Sequence, residues 1–350
     1  MQPAPICIAA TFTPRIWGRR SLAPLYPEKS HLQEPVGEAW LTGTDCRVAS
    51  GPFAGKTLGA TWRDLPASWR GIRLAATLDF PILVKFIFPR EKLSVQVHPD
   101  DAYARTHEQT SGGRGKTEMW HAVSAEPDAQ VLVGLKPAVD RHAFQQSLST
   151  NAVESLFEAY SVRTGDTFFV PAGTPHTIGP GMVLCEVQEY SDLTYRVYDY
   201  GRLDPSGRPR QLHVEKALEV IRFGKSDGGR VAPVRLTERG AKKYLLAACP
   251  YFAAERWEIS GNTEFSPDAQ HADIFVVLSG QGTFKNGQGS AAYRPGESWL
   301  IPANVESLKL APSEPTVLLR TFVPNLRELK DNLSRNGLAQ SKISQVVFDL

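Results

Sequence analysis

The chain has 350 residues, of which 42% are hydrophobic and 22% are charged, a balance typical of a soluble globular enzyme or binding protein. Its 39 basic and 37 acidic residues are intermixed and give a net charge of +2, which argues against binding to nucleic acid or a membrane surface. The four cysteines form no C-x-x-C pair, and no stretch resembles a signal peptide or a membrane span, so we expect a cytoplasmic protein with reduced thiols.

Short strands separated by Gly and Pro dominate the first half of the sequence. Between residues 73 and 135, strands are predicted at RLAATLDF, PILVKFIFP, KLSVQV, MWHAV and AQVLVGL. Such a density of short strands predicts a mainly β protein, built as an antiparallel sandwich, jelly roll or barrel.

The stretch SVQVHPDD, residues 94–101, alternates polar and apolar residues until Pro99 ends the strand. Because side chains two positions apart project to the same side of a strand, Gln96 and His98 share one face, and the two valines share the other. The pattern leaves open whether the polar pair points to water or into the fold.

A few helices are predicted among the strands. Asp140 can cap a helix over RHAFQQSL, NAVESLFEAY continues with helical spacing, and VEKALEVIRF carries one apolar stripe with His213 just before its start. Near the C-terminus, NLRELKDNLSRNGL predicts a further helix, and SQVVFDL predicts either a strand or a loose tail.

The polar, Gly-rich run GKSDGGRVAP, around Ser226, predicts a linker between domains. We therefore expect an N-terminal domain over residues 1–228 with inserted helices, a C-terminal domain over 229–325, and a tail over 326–350.

One internal repeat relates the two halves of the chain. The sequence GDTFFVP at residues 165–171 recurs as GESWLIP at 296–302, which predicts two similar β-barrels in tandem. The first copy is followed by His176, whereas Ser307 stands at the matching place after the second copy. We expect the second barrel to lack a metal and to serve as a packing partner.

Five motifs resemble one family in the same order along the chain. They are PRIWG, QVHPDD, GKTEMWH, PAGTPHTIGPG and EVQEYSDLTYRVYDYGR. The third resembles part of a metal site, the fourth is similar to the second metal-binding motif of the cupins, and together they resemble the type I mannose-6-phosphate isomerases over about residues 10–325. The resemblance implies two tandem cupin-type jelly-roll barrels and the interconversion of mannose 6-phosphate and fructose 6-phosphate through an enediol.

The resemblance also implies that Gln96, His98, Glu118 and His176 bind one Zn²⁺ ion per chain. Imidazole nitrogens and carboxylate oxygens are ordinary zinc ligands, and ligands from three strands can converge inside a barrel. Gln96 offers a neutral amide, which binds weakly and could instead support a ligand by hydrogen bonding. A single carboxylate leaves the site positively charged, which suits a Lewis acid acting on a sugar substrate.

Four further residues match positions at the family's active site. Lys116 lies two residues before Glu118 and is assigned a catalytic or substrate-positioning role, Asp192 and Arg196 are assigned to catalysis, and Lys85 to substrate binding with Lys116 and Arg196. The base that takes the C2 proton stays open among Lys116, Asp192 and a metal-bound water.

Other interpretations fit some of these residues. Two His and one Glu could form the iron site of a non-haem dioxygenase, and a double-barrel protein could bind a sugar without catalysis. Lys85 could face water, and Arg196 could form a structural ion pair with Asp192 or Asp199. We expect a sugar phosphate as the partner and a monomer or small homo-oligomer.

Overall fold

The computed structural model describes residues 2–204, 206–224, 228–236, 240–287 and 289–350. Within these ranges the chain is mainly β, as predicted. The strands of the first part are β1 (Ile6–Ile8), β2 (Thr11–Arg19), β3 (Val36–Trp40), β4 (Ile82–Ile87), β5 (Val95–Val97), β6 (Glu118–Ala125), β7 (Gln130–Leu135), β8 (Phe157–Ser161), β9 (Thr167–Val170), β10 (His176–Ile178), β11 (Met182–Glu189), β12 (Tyr195–Tyr198) and β13 (Gly229–Val231). They are followed by β14 (Val234–Leu236), β15 (Lys242–Ala248), β16 (Ala253–Ile259), β17 (Thr263–Phe265), β18 (Asp273–Ser279), β19 (Gly282–Asn286), β20 (Gly289–Tyr293), β21 (Ser298–Ile301), β22 (Leu308–Pro312) and β23 (Thr316–Phe322).

The helices are short. The α-helices are α1 (Leu58–Asp64), α2 (Ala67–Arg70), α3 (Asp101–His107), α4 (Arg141–Ser149), α5 (Val214–Val220), α6 (Leu326–Arg335) and α7 (Gln340–Ile343), and 3-10 turns lie at Pro27–Lys29, Ile72–Leu74, Gln109–Ser111 and Val153–Leu156. Across the described ranges, none of them has the length and apolar character that a membrane crossing needs.

The strands form four antiparallel sheets. A seven-stranded sheet, β13-β9-β6-β11-β4-β3-β2, faces a five-stranded one, β12-β5-β10-β7-β8; we call this pair the N-terminal sandwich. The C-terminal sandwich pairs β1-β21-β18-β23-β16-β15-β14 with β17-β22-β19-β20. The repeated segments become β9 and β21, which occupy the same place in their sheets. The two halves therefore share one arrangement of strands, although neither sandwich closes into a complete barrel within the described residues.

Within the described residues the chain has four apolar cores, three of which hold these layers together. Trp120 and Ile178 belong to the core inside the N-terminal sandwich, and Phe275 belongs to the equivalent core of the C-terminal sandwich. The largest core lies between the two seven-stranded sheets and includes Phe86 and Leu319. Since both faces of each seven-stranded sheet are covered, its strands are apolar on both sides, and a charged residue on them stands out.

Most of the predicted helices are confirmed. Asp140 caps α4, and its Oδ1 atom accepts a hydrogen bond of 2.7 Å from the amide of Ala143. The helices predicted over VEKALEVIRF and NLRELKDNLSRNGL are α5 and α6. The helix predicted over NAVESLFEAY is wrong, because only one 3-10 turn forms there before β8 pairs with β7.

The strand predicted at RLAATLDF is also wrong. The segment begins in a 3-10 turn, and the amides of Ile72 and Arg73 donate to the carbonyls of Ala269 and Gln270. The start of this segment thus takes its backbone partners from a loop about 200 residues later, and the amides of Leu74 and Thr77 donate to local carbonyls rather than to a neighbouring strand.

The C-terminal tail is packed against the body of the protein. Val346 and Val347 are buried, Val347 forms a parallel bridge with Ala248, and the ring of Phe348 stacks on Phe169 with centroids 3.9 Å apart. The tail therefore fixes the C-terminus to a strand of the N-terminal sandwich.

The predicted domain boundaries stay a prediction. The centre of the predicted linker, residues 225–227, lies outside the described residues. On either side of it, the two halves exchange edge strands: β13 pairs with β9 in the N-terminal sheet, and β1 pairs with β21 in the C-terminal sheet.

Candidate functional site

The four residues predicted to bind metal come together on the inner face of the N-terminal sandwich. His176 on β10 pairs in register with Gln96 on β5, His98 directly follows β5, and Glu118 begins β6 on the opposite sheet. His98, Glu118 and His176 each offer a ligand atom within 4.8 Å of the others, and all three side chains are buried. The two strand valines face the other way, into an apolar core, so the polar face of β5 points into the fold.

Hydrogen bonds orient both imidazoles. The Nδ1 atom of His98 lies 2.8 Å from the carbonyl oxygen of Leu193, and the Nδ1 atom of His176 lies 2.9 Å from that of Thr174. Because a carbonyl only accepts, each Nδ1 carries the proton and each Nε2 keeps its lone pair. Those Nε2 atoms lie 3.6 Å and 3.4 Å from the two oxygens of Glu118. Two unprotonated imidazole nitrogens facing one carboxylate are a donor set that fits Zn²⁺.

The side chain of Gln96 reaches the same place. Its Nε2 atom lies 3.3 Å from Nε2 of His176, while its Oε1 atom accepts a hydrogen bond of 3.2 Å from Ser94. A half-turn of the amide exchanges these two atoms and would present the oxygen to a cation.

Lys116 joins this cluster, as its spacing from Glu118 predicts. Its Nζ atom lies 2.5 Å from Oε2 of Glu118, 3.2 Å from Nε2 of His98 and 3.1 Å from Oε1 of Glu186. The analysis of the sequence did not single out Glu186, which lies on β11 and is 5% exposed. An acidic residue inside the otherwise apolar stretch MVLCEV is the signal that would have found it.

Burial and charge set the protonation of these groups. Burial, and then the Lys116 charge, holds the pKa of His98 well below its usual value, and burial lowers the pKa of His176 to about 4. Burial and the neighbouring Glu118 raise the pKa of Glu186 to about 7. Burial opposes the charge on Lys116, but the two carboxylates outweigh it and raise the pKa of its ammonium group.

Lys85 and Asp192 form an ion pair at the side of the cluster. The Nζ atom of Lys85 lies 2.6 Å from Oδ1 of Asp192 and 4.1 Å from the ring centroid of Trp40. Only 3% of the Lys85 side chain is exposed, so the alternative that it faces water is wrong. Burial raises the pKa of Asp192, but the Lys85 ammonium outweighs this effect, and the net pKa is lowered.

Arg196 on β12 contacts neutral groups. Its Nε atom donates to Ser94 Oγ at 3.3 Å and its Nη1 atom to the carbonyl of Gln211 at 2.9 Å. Arg202 and Arg210 instead bind Asp199. The structural ion pairs considered for Arg196 are therefore not formed. His213 lies at the start of α5, as predicted.

A cavity of about 730 Å³, which we call the N-terminal cavity, opens beside the cluster. Its lining includes all of the predicted site residues except the two histidines. It also includes charged groups to which the sequence analysis assigned no role, among them Arg15, Glu38, Glu186, Asp204 and Arg210. This volume is within the usual range for small-molecule sites, about 300 to 1,000 Å³. The cavity can hold a polar molecule directly against Gln96, Lys116 and Glu118.

Two family models match the chain. The model of the type I phosphomannose isomerase catalytic domain matches residues 6–126, and that of the mannose-6-phosphate isomerase cupin domain matches residues 241–315. The Bacillus subtilis protein named "Probable mannose-6-phosphate isomerase GmuF" is 35% identical over 305 residues, which cover 86% of this chain and 94% of its own. The mannose-6-phosphate isomerase of Streptococcus mutans is 33% identical over 304 residues, 87% of this chain and 94% of its own.

Solved structures share the fold of this chain. The crystal structure of the mannose 6-phosphate isomerase from Bacillus subtilis is 29% identical and has a TM-score of 0.83, covering 91% of this chain and 99% of its own. The apo form of the Salmonella typhimurium enzyme is 15% identical, with a TM-score of 0.71 over 92% of this chain and 100% of its own, and shares the fold.

Proposed function

The chain belongs to the type I phosphomannose isomerase family, and on this premise we propose that it is a zinc-dependent aldose-ketose isomerase that interconverts mannose 6-phosphate and fructose 6-phosphate. The observation that carries the proposal is the convergence of His98, Glu118 and His176 with Lys116 on the wall of one cavity. A sugar-binding protein without catalysis has no need for this combination of metal ligands and a buried acid-base pair.

The zinc ion would be held by Gln96, His98, Glu118 and His176. The fit of these residues to Zn²⁺ rests on the two unprotonated Nε2 atoms and the single carboxylate between them. When bound, the ion supplies positive charge beside the substrate oxygens that become negative in an enediol mechanism. The remaining work of binding, orientation and proton transfer belongs to the side chains around the cavity.

We assign the transfer of the proton between C2 and C1 to the Glu186 carboxylate, and Lys116, whose raised pKa keeps it protonated, is the cation that holds this carboxylate in place. Aldose-ketose isomerisation needs a group that takes a proton from one carbon and returns it to the next. The two side chains are 3.1 Å apart and buried, so a proton carried by Glu186 is shielded from water. Asp192, the other side chain considered as the base, is held by Lys85 and is better suited to orienting a hydroxyl group.

Arg196 is proposed to hold the phosphate or a developing oxyanion. It lies on the cavity wall, donates hydrogen bonds to the neutral Ser94 hydroxyl and Gln211 carbonyl, and has Arg210 nearby on the same wall. A guanidinium group binds phosphate through paired N–H donors. Lys85 adds positive charge deeper in the cavity, although Asp192 balances it.

A coupled assay with mannose 6-phosphate, before and after chelation, tests the proposal. We expect turnover that a chelator abolishes and that added Zn²⁺ restores, since the ligands include only one charged group and the ion can be removed. Full turnover by metal-free protein would contradict the metal-dependent mechanism. Dioxygen uptake with bound iron, measured with an oxygen electrode, would favour the dioxygenase alternative, which also uses two His and one carboxylate.

A further inference from the structure

His213, to which the sequence analysis assigned no role beyond the start of a helix, is bonded to Arg196. The amide of Arg196 donates to its Nδ1 atom at 3.3 Å, and the amide of His213 donates to the carbonyl oxygen of Arg196 at 2.7 Å. The start of α5 is thus fixed to β12 through one side-chain bond and one backbone bond. His213 also lines the N-terminal cavity.

His213 extends a row of residues that begins at the candidate metal site. His176 on β10 pairs with Gln96 on β5, and Gln96 pairs in turn with Arg196 on β12. Directly paired residues project to the same side of a sheet, so these three side chains share the inner face. Neighbouring strands lie about 4.8 Å apart, which places the backbone of His213 roughly 10 Å from that of Gln96. The row therefore leads from the metal ligands along the cavity wall.

The bond to Nδ1 fixes the tautomer of the His213 ring. Because an amide only donates, Nδ1 accepts, and Nε2 of the neutral ring carries the proton. Burial and the charges of Arg196 and Lys216, opposed in part by Glu108, lower the pKa of His213, so the neutral form prevails at pH 7. Among the described residues the ring makes no other hydrogen bond. His213 therefore presents one free N–H donor at the cavity wall.

Arginines give the wall around His213 a positive charge. Arg202 and Arg210 both bind the single carboxylate of Asp199, so one positive charge of this trio is left unbalanced. Arg210 uses Nε and Nη2 for that contact, which leaves its Nη1 atom available. Burial, and then the charge of Arg210, lowers the pKa of Arg196, which places the two guanidinium groups near each other. The carboxylate of Asp204, on the same wall, accepts from two amides of its own turn.

The chemistry of the proposed substrate matches this row. In an open-chain hexose 6-phosphate the phosphate is on C6, at the opposite end of the molecule from C1 and C2. When the reacting carbons lie at the metal ligands, the phosphate lies some distance from them along the cavity. A phosphate ester is bound by N–H donors in a positively charged wall, and His213 and Arg210 supply both.

We propose that His213 is a specificity-determining residue whose Nε2–H group donates to the 6-phosphate of the substrate, beside Arg210. The inference rests on the proposed function and deepens it, because it assigns the phosphate to a residue outside the five motifs. The bond between Nδ1 and the Arg196 amide holds the ring, so the donor is in place before the substrate binds. A residue in this role acts on the affinity for the phosphorylated sugar rather than on the chemical step.

Two substitutions separate the roles of the two ring nitrogens. His213→Asn keeps an acceptor near the Nδ1 position for the Arg196 amide and removes the Nε2 donor, whereas His213→Gln places an amide N–H near the position of Nε2. His142→Asn, at an exposed histidine of α4, is the matched control. Calorimetry on the metal-loaded full chain measures the binding of mannose 6-phosphate and of D-mannose, which lacks the phosphate. The values of kcat, KM and Tm are measured on the same variants.

We expect His213→Asn to weaken the binding of mannose 6-phosphate and to raise its KM by about tenfold, with less than about a threefold change in kcat and a twofold change in D-mannose binding. His213→Gln should recover most of the affinity, and His142→Asn should match the natural chain. The ratio of the two sugar affinities does not depend on the folded fraction, so a loss of stability does not obscure the result.

Three results would overturn the inference: unchanged binding of mannose 6-phosphate by His213→Asn, equal weakening of both sugars, or a lower kcat at unchanged KM. Failure of the proposed function is recognised separately, because it appears as an absence of turnover in the natural chain. Binding of mannose 6-phosphate that still depended on His213 in that case would support the phosphate assignment alone.

Discussion

The ammonium group of Lys116 lies 2.5 Å from the carboxylate of Glu118, two residues later in the chain. The same ammonium contacts Glu186, so one buried cation separates two buried carboxylates. Removing that cation would change both the charge of the site and its stability. The two effects can be measured separately.

We predict that Lys116→Met lowers turnover by about 10²-fold or more and also lowers Tm, because two buried carboxylates lose their counter-ion. Adding Glu186→Gln should restore much of the Tm by removing one of these charges, while turnover stays low. Thermal unfolding and the coupled isomerase assay on both variants provide the check. A double variant that regained turnover would remove both residues from the proposed proton transfer.

The metal content should be close to one equivalent per chain. His98→Ala combined with His176→Ala should reduce it toward zero, because two strong ligands are lost, whereas His107→Ala on the exposed side of α3 should leave it unchanged. Elemental analysis after dialysis measures the stoichiometry. A full equivalent of tightly bound metal in the double variant would show that the site lies elsewhere, and the C-terminal sandwich would be examined next.

Arg196→Ala should lower kcat/KM by about 10²-fold, since an arginine that binds phosphate or an oxyanion is not replaced by solvent. Tm should fall by only a few degrees, because Arg196 contributes hydrogen bonds to Ser94 and Gln211 and no ion pair within the described residues. Arg208→Ala, an exposed arginine, is the matched control. A loss of folding that parallels the loss of activity would instead indicate a structural role.

Glu189 should make the protein less stable as the pH rises. Burial raises its pKa to about 8, its Oε1 atom accepts from the amide of Thr117 at 2.7 Å, and Asp101 lies beside it. Because the pKa is higher in the folded than in the unfolded chain, its contribution is complete below about 4.5 and is lost as the pH rises toward 8. Asp101 and the Cys249 thiol face the same carboxyl group.

Glu189→Gln keeps the hydrogen bonds of the protonated acid and cannot ionise. Its Tm advantage over the natural chain should therefore grow between about pH 5 and about pH 9, by several degrees in total. Differential scanning calorimetry across this range measures the effect, with the exposed Glu306→Gln as a control. A constant Tm difference at all pH values would show that Glu189 is ionised throughout.

The sequence predicted the parts of the molecule that depend on local pattern. The alternation around Gln96 and His98, the spacing of Lys116 from Glu118 and the cap at Asp140 all correspond to the contacts observed. These features need only the geometry of one strand or one helix turn.

The features that the sequence did not predict depend on distant partners. RLAATLDF has the composition of a strand, but the amides of Ile72 and Arg73 at its start donate to the carbonyls of residues 269 and 270. Glu186 joins the candidate site only because β11 lies beside β6. The opposite charge at the corresponding position of the C-terminal sandwich, Arg320, is recognised only after the two sheets are aligned. Such pairings are set by tertiary structure, which overrides local preference.

The exchange of edge strands has a consequence for synthesis on the ribosome. Ile6 pairs with Leu300, so β1 cannot join its sheet until nearly the whole chain has emerged, although Ile8 also forms a bridge with Val48. At roughly 5 to 20 residues per second, this delay is on the order of tens of seconds. During that time the outer face of the N-terminal seven-stranded sheet also waits for the second sheet that covers it. The nascent chain thus carries an uncovered apolar surface for much of its translation, and its yield in the cell should depend on chaperones that bind such surfaces.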